Sequence, residues 1–104
     1  MRDLKVEAKQ ADNGIELQLV GELIFSDTKQ FMTDIPIRVR DKGPCVILNL
    51  DKLKFIDSAG LGSILYVSEA LRMQCQSLRI INANNIIKNL LSKIKGVGTF
   101  ILED

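Results

Sequence analysis

The chain has 104 residues, of which 46% are hydrophobic and 26% charged, the balance of an ordinary globular protein and far from that of a disordered one. At this length it is expected to fold as a single domain, residues 1–104, around one core. Fourteen basic against thirteen acidic residues leave a net charge of +1, too weak a field to draw the protein to nucleic acid or to an anionic membrane, so neither is expected as a partner.

Met1-Arg2-Asp3-Leu4-Lys5 enters strand-like sequence at once, without the charged region and apolar stretch of a signal peptide. No apolar run approaches the roughly 20 residues that span a bilayer. No membrane insertion and a cytoplasmic location are therefore expected. Cys45 and Cys75 are the only cysteines and read as core thiols in a reducing cytosol, neither a disulfide framework nor metal ligands. Histidine is absent, which removes the commonest general base, the triad partner of Ser or Cys, and the commonest metal ligand. No catalytic residue, metal or cofactor is expected.

In chain order, Leu4 to Lys9 alternates apolar and polar residues as a half-buried strand does, and Ile15 to Val20 alternates again. Asp12-Asn13-Gly14 between them suits a hairpin turn, and Gly21 is expected to end the second strand. Ser26 or Asp27 can cap a helix that buries Phe31, Met32 and Ile35, with Pro36 ending or kinking it near Ile35 and leaving Ile37 and Val39 in a less regular segment. Gly43-Pro44 precedes Cys45 to Leu50, a nearly continuous apolar run of the kind found in a central strand covered on both faces.

Leu61, Ile64, Leu65, Ser68 and Leu71 then form the stripe of an amphipathic helix, with Ser63 on its exposed side. Leu78 to Ile81 is a further strand. The Asn82 to Asn85 cluster can cap a helix presenting Ile87, Leu90, Leu91 and Ile94, which Gly96 stops; Lys88, Lys93 and Lys95 give it a wet face. Thr99 to Leu102 can add an edge strand. Strands and helices alternating after a hairpin make an α/β sandwich with a mixed sheet.

Chemistry is concentrated in Asp57-Ser58-Ala59-Gly60-Leu61-Gly62, between the central strand and the amphipathic helix. In the structural reading, Asp57 or Ser58 caps the helix and the glycines ease its tight start. In the functional reading, a hydroxyl at a helix N-terminus lies where unpaired N–H groups and the dipole favour a phosphate. Two extra negative charges there, beside Asp57, would switch off the binding of a partner. Gly60-Leu61-Gly62 lacks the Lys and Ser/Thr of a P-loop and the third glycine of a dinucleotide fingerprint; the two glycines are expected to let a partner's backbone approach. An enzyme with Ser58 as nucleophile would need a base in reach, and Asp57, its neighbour on a capping turn, is poorly aimed.

Phe55-Ile56-Asp57-Ser58-Ala59-Gly60-Leu61-Gly62-Ser63-Ile64-Leu65 resembles the signature of STAS domains of bacterial anti-sigma factor antagonists. Val20-Gly21-Glu22-Leu23 is similar to the segment closing that family's second strand, and Val46 to Leu50 and Gly96 match as well, so the resemblance spans nearly the whole chain. It implies a STAS-type sandwich, a mixed central β-sheet with helices packed mainly on one face. The implied function is that of an anti-sigma factor antagonist, a monomer or weak dimer without catalysis of its own. Unphosphorylated, it would bind an anti-sigma factor, in many systems an ATP-dependent serine kinase, and so release the sigma factor. Phosphorylation of Ser58 would switch it off and a PP2C-type phosphatase would restore it.

Asp57, Ser58, Ala59, Gly60, Leu61, Gly62 and Glu22 are the partner-binding residues this implies. Ile24 departs from the family, standing where the Gly-Glu-Leu-Asp segment carries its aspartate; Pro36 falls within the family's first long helix, and Asp104 ends the chain where many members continue into another helix, as in a trimmed variant. STAS domains also serve as accessory or scaffold subunits of transport and signalling complexes without a phospho-switch, which is the alternative function.

Overall fold

The two alternating segments pair as the expected hairpin. β1 (Lys5–Ala11) runs antiparallel to β2 (Gly14–Leu23), Ala11 opposite Gly14, with Asn13 at φ 63° in the turn. The computed structural model describes residues 4–103. Met1 to Asp3 and the stop at Asp104 lie outside them.

Beyond the hairpin the chain continues through α1 (Phe25–Val39), β3 (Cys45–Ile56), α2 (Ser58–Met73), β4 (Ser77–Ile81), α3 (Asn85–Ile94) and β5 (Phe100–Leu102). Among the described residues the strands form one five-stranded sheet in the order β1-β2-β3-β4-β5, with β2 to β5 mutually parallel. The register sets Ile15, Val46 and Leu78 side by side, then Leu17, Leu48 and Ile80. All six are buried, together with Phe31, Ile35 and Val39 of α1, Ile64, Val67 and Leu71 of α2, and Ile87 and Leu91 of α3. Each such side chain contributes about 1.5–3 kcal/mol of burial. The opposite face of the sheet carries Glu7, Lys9, Glu16, Asn49 and Arg79, exposed or half-buried. The fold is the expected mixed α/β sandwich with its helices on one face.

Gly21 does not end β2. It sits at φ 109°, in the left-handed region open to glycine, where the β2–β3 register slips, and the strand resumes with Glu22 opposite Phe55 and Leu23 opposite Ile56. β3 is correspondingly longer than the apolar run Cys45 to Leu50, because Leu53 and Ile56 continue its buried side past the irregularity. The slip brings the last residues of β2 and β3 level, and α1 and α2 start from there side by side.

α1 differs from expectation at both ends. It starts at Phe25 with Ile24 as the cap residue, and Ile24 has no side-chain acceptor; Asp27 instead reaches back to accept from the Ile24 N–H at 3.2 Å. Pro36 neither ends nor breaks the helix, which runs on to Val39. The proline falls in the last turn, where one missing N–H leaves little helix beyond it to disrupt, and its ring is buried. Two glutamines that follow α2 cap the end of α1. Gln76 is buried and donates from Nε2 to the carbonyls of Val39 (2.7 Å) and Gly43 (2.8 Å), while Gln74 donates to Pro36 O (2.9 Å) and to Gln76 Oε1 (2.6 Å).

Two further expectations are corrected here. Cys75 is exposed, because the chain leaves α2 through a left-handed residue at that position (φ 62°) and turns Gln76 inward in its place; Cys45 is half-buried, and both thiols are free. Ser63 is 1% exposed and satisfies its hydroxyl by donating to Gly60 O at 2.7 Å. The buried line of α2 runs through Gly60, Ser63, Ile64, Val67, Ser68 and Leu71, so Leu61 and Leu65 flank it and the small hydroxyls fill its centre.

Candidate functional site

The last residues of β2 and β3 pair, Leu23 with Ile56, and each strand turns at once into a helix. Two helix N-termini therefore meet, each carrying the equivalent of about half a positive charge on unpaired amides. Asp57 stands between them. Its Oδ1 accepts from Gly60 N at 2.8 Å, capping α2, and its Oδ2 accepts from Phe25 N at 3.0 Å, capping α1. One carboxylate thus supplies the acceptor that Ile24 lacks. The choice between Asp57 and Ser58 as cap of α2 is settled for Asp57.

Ser58 is the first residue of α2, exposed, and its hydroxyl makes no hydrogen bond among the described residues. Ala59 and Leu61 are half-buried, Leu61 packing against the core. Glu22 is half-buried on β2 opposite Phe55. The two glycines have different roles. A Cβ on Gly60 would lie 2.3 Å from Leu23 O and 2.7 Å from Ile56 Cγ1, so the absence of a side chain there lets α2 sit on the strand ends. A Cβ on Gly62 would meet nothing within 4 Å, and this exposed glycine is the one that leaves room for close approach.

Ser58, Gly62 and Tyr66 are four residues apart and line one exposed face of α2. Farther along that helix Arg72 is hydrogen-bonded to Glu69 and holds the Glu69 carboxyl below its ordinary value, so the carboxylate keeps its charge into mild acid.

Three aromatic residues near this surface were not anticipated from sequence: Phe25 is 77% exposed, Tyr66 56% and Phe55 51%. Phe25 is the residue whose amide Asp57 holds. Its signal in the sequence is an aromatic side chain directly before the polar run Ser26-Asp27-Thr28, where a helix start was already expected. No group of three or more potential metal-ligating Cys, Asp or Glu side chains occurs among the described residues. Both Asp57 oxygens face backbone amides and are not aimed at the Ser58 hydroxyl.

Comparison with known proteins agrees with this architecture. The STAS domain profile matches residues 5–100. The anti-sigma factor antagonist SpoIIAA in its unphosphorylated form is similar with a TM-score of 0.72 at 18% identity, over 98% of this chain and 88% of that one. The phosphorylated Bacillus SpoIIAA is similar with a TM-score of 0.67 at 16% identity, over 98% and 92%. An anti-sigma factor antagonist from Mycobacterium paratuberculosis gives 0.71 at 20% identity, over 96% and 85%. The murine anion transporter solute carrier 26 family member A9 gives 0.74 at 13% identity, over 94% of this chain but 19% of the transporter. At these identities the solved structures speak for the fold. Comparison with curated proteins returned no match. No helix among the described residues is long and apolar enough to cross a membrane. With the profile spanning nearly the whole chain and the fold agreeing, the protein belongs to the STAS-domain family.

Proposed function

We propose that this protein is an anti-sigma factor antagonist, a bacterial cytoplasmic STAS domain that acts by binding and not by catalysis. In its unphosphorylated form it binds an anti-sigma factor with serine kinase activity and so releases the sigma factor. Phosphorylation of Ser58 ends the binding, and a PP2C-type phosphatase reverses it. The observation that carries the reading is Ser58 itself, an exposed hydroxyl with no hydrogen-bond partner among the described residues, at the first residue of α2 beside the amides of two helix starts. A phosphate there gains favourable electrostatics from those amides and leaves the fold intact. It also adds roughly −1.5 to −2 of charge to a surface carrying Phe25, Gly62 and Tyr66, which repels a partner docked over it. The similarity to SpoIIAA, known in unphosphorylated and phosphorylated forms, supports the same reading.

The similarity to the solute carrier transporter favours a second reading, in which the domain is an accessory or scaffold subunit of a transport or signalling complex and Ser58 is never modified. Affinity capture separates the two. The unmodified protein and its Ser58→Asp variant are used as baits in lysate of the source organism, and the native protein is analysed for phosphate by mass spectrometry. An anti-sigma kinase retained by the unmodified bait and lost from the variant, with phosphate on Ser58, is the expected result. A transporter subunit retained equally by both, with no phosphate, overturns the switch.

A further inference from the structure

Two open hollows lie in line between β1 and α1. One, of about 430 Å³, is lined by Leu4 and Val6 of the hairpin side and by α1 residues from Ser26 to Arg38; the other, of about 720 Å³, continues past Arg38 along Ala8 to Gln10 as far as Lys42. Together they form one groove that follows β1 along its length, with Val6, Ala8, Phe31 and Ile35 as its apolar floor. The rim is charged unevenly. Asp27 and Asp34 stand at the end near Leu4, whereas Arg38 and Lys42, against Asp41 alone, stand at the end near Gln10. Lys9 is paired with Glu16 at 3.7 Å; the side chains of Arg38 and Lys42 have no hydrogen bond or ion pair among the described residues.

β1 is also the edge of the sheet. Among the described residues it pairs with β2 alone, so its outer backbone N–H and C=O groups have no strand partner. Alternation places Lys5, Glu7 and Lys9 toward the face away from the helices and leaves Val6 and Ala8 toward the groove. An open strand edge, an apolar floor and a charge gradient parallel to the edge are together what an extended chain reads: backbone bonds give affinity, and alternate side chains and end charges give direction.

We propose that the groove between β1 and α1 docks an extended segment of a partner protein, basic at the end over Asp27 and Asp34 and acidic at the end over Arg38 and Lys42. This proposal does not rest on modification of Ser58.

The probe is a synthetic peptide of roughly nine residues, long enough to match β1 at a strand rise of about 3.3 Å per residue, with a Thr/Val alternating body, two Lys at one end and two Glu at the other. It is made in both orders, because the added strand can run either way, and also with Ser at both ends. Each is titrated into the ¹⁵N-labelled full chain. One charged order is expected to shift amides confined to β1 and the facing side of α1, with the Ser-ended peptide weaker, and Arg38→Glu is expected to weaken it roughly fivefold as an exposed ion pair becomes a repulsion. Arg38 is exposed, so the variant should fold; Lys42→Glu gives a second reading at the same end. The proposal is overturned if neither order shifts these amides, if the Ser-ended peptide binds equally well, or if inorganic phosphate alone reproduces the shifts. Sedimentation showing the groove occupied by a second copy of the chain overturns it too.

Discussion

The Oδ2 atom of Asp57 accepts a hydrogen bond from the backbone N–H of Phe25 at 3.0 Å, across 32 residues of sequence. With Oδ1 on Gly60 N, Asp57 caps α1 and α2 at once, so its removal unties two helix starts. Asp57→Ala is expected to destabilise the protein by about 2 kcal/mol, the upper part of the range for a lost N-cap. Asp57→Asn, which keeps one acceptor oxygen and loses the charge, should cost about half as much. Urea unfolding measures both, and equal midpoints for Asp57→Ala and the parent would show that the double cap carries no stability.

The two glycines of the signature give opposite outcomes. Gly60→Ala drives a methyl into Leu23 O and Ile56 and is expected to cost about 1–3 kcal/mol, as overpacking does. Gly62→Ala meets open space and should stabilise α2 by about 1 kcal/mol through helix propensity, while weakening partner binding by filling the approach. Thermal unfolding of the two variants reads the sign directly. A destabilised Gly62→Ala would mean that its place on an open helix face is wrong.

Much of this fold was legible because apolar period and turn chemistry agree. The hairpin around Asn13, the strand at Val46 to Leu50, the helix after Ser58 and the Asn84 cap of α3 each follow from local pattern. The errors share a cause, since each depended on a contact distant in sequence. Gly21 reads as a stop, and only the β3 register shows it as a slip within a continuing strand. Ile24 cannot cap, and the acceptor that replaces it comes from Asp57. Pro36 reads as a helix breaker, yet it falls in the last turn of α1, and the end of that helix is held by Gln74 and Gln76 from beyond α2. Ser63 reads as solvent-facing when the stripe is centred on Leu61, whereas its side chain is small enough for the tight buried line between α2 and the sheet. At the candidate site, the strand-to-helix junction that carries Asp57 and Ser58 was legible, but the exposure of Phe25 was not, because its one local signal, an aromatic before a polar helix start, does not fix which way the ring faces.

Gln76 is the buried amide on which the end of α1 depends, with Nε2 on two carbonyls and Oε1 receiving Gln74. Gln76→Ala leaves buried carbonyls without a donor and is expected to cost about 1–3 kcal/mol. Gln76→Glu sets a carboxylate against the same carbonyls, which raises its folded pKa above the unfolded value. Its extra penalty should therefore be absent below about pH 4, where the acid is protonated, and should grow as pH rises through the ordinary Glu value of about 4.3. Chemical denaturation at pH 3.5 and 7 separates the variants, and a Gln76→Glu protein as stable as the parent at pH 7 would refute the assigned bonding.

Phe25 has a large aromatic side chain that is 77% exposed, and its backbone is held by Asp57, the residue before Ser58. Phe25→Ala should change folding stability by less than about 0.5 kcal/mol, as surface substitutions do, yet weaken partner binding by about 2 kcal/mol if the ring anchors the interface. Calorimetric titration with the captured partner measures the second quantity. Unchanged affinity would remove Phe25 from the binding surface.

Ser58 separates stability from binding most sharply, because Asp57 caps the helix and the Ser58 hydroxyl is uncommitted. Ser58→Ala is expected to leave the unfolding midpoint within about 0.5 kcal/mol of the parent and to keep binding permanently on, since no phosphate can be attached. Ser58→Asp adds negative charge at the start of α2, where the helix dipole favours it by about 0.3–1 kcal/mol against repulsion from Asp57, so it should fold at least as well as Ser58→Ala. Its partner affinity should nonetheless fall, because the charge that suits the helix faces the docking surface. Equal affinity for the Ala and Asp variants would reject a charge-operated switch at Ser58. Lower affinity accompanied by a lower unfolding midpoint would point to damage in the cap instead, and the Asp57 variants provide the scale against which that damage is judged.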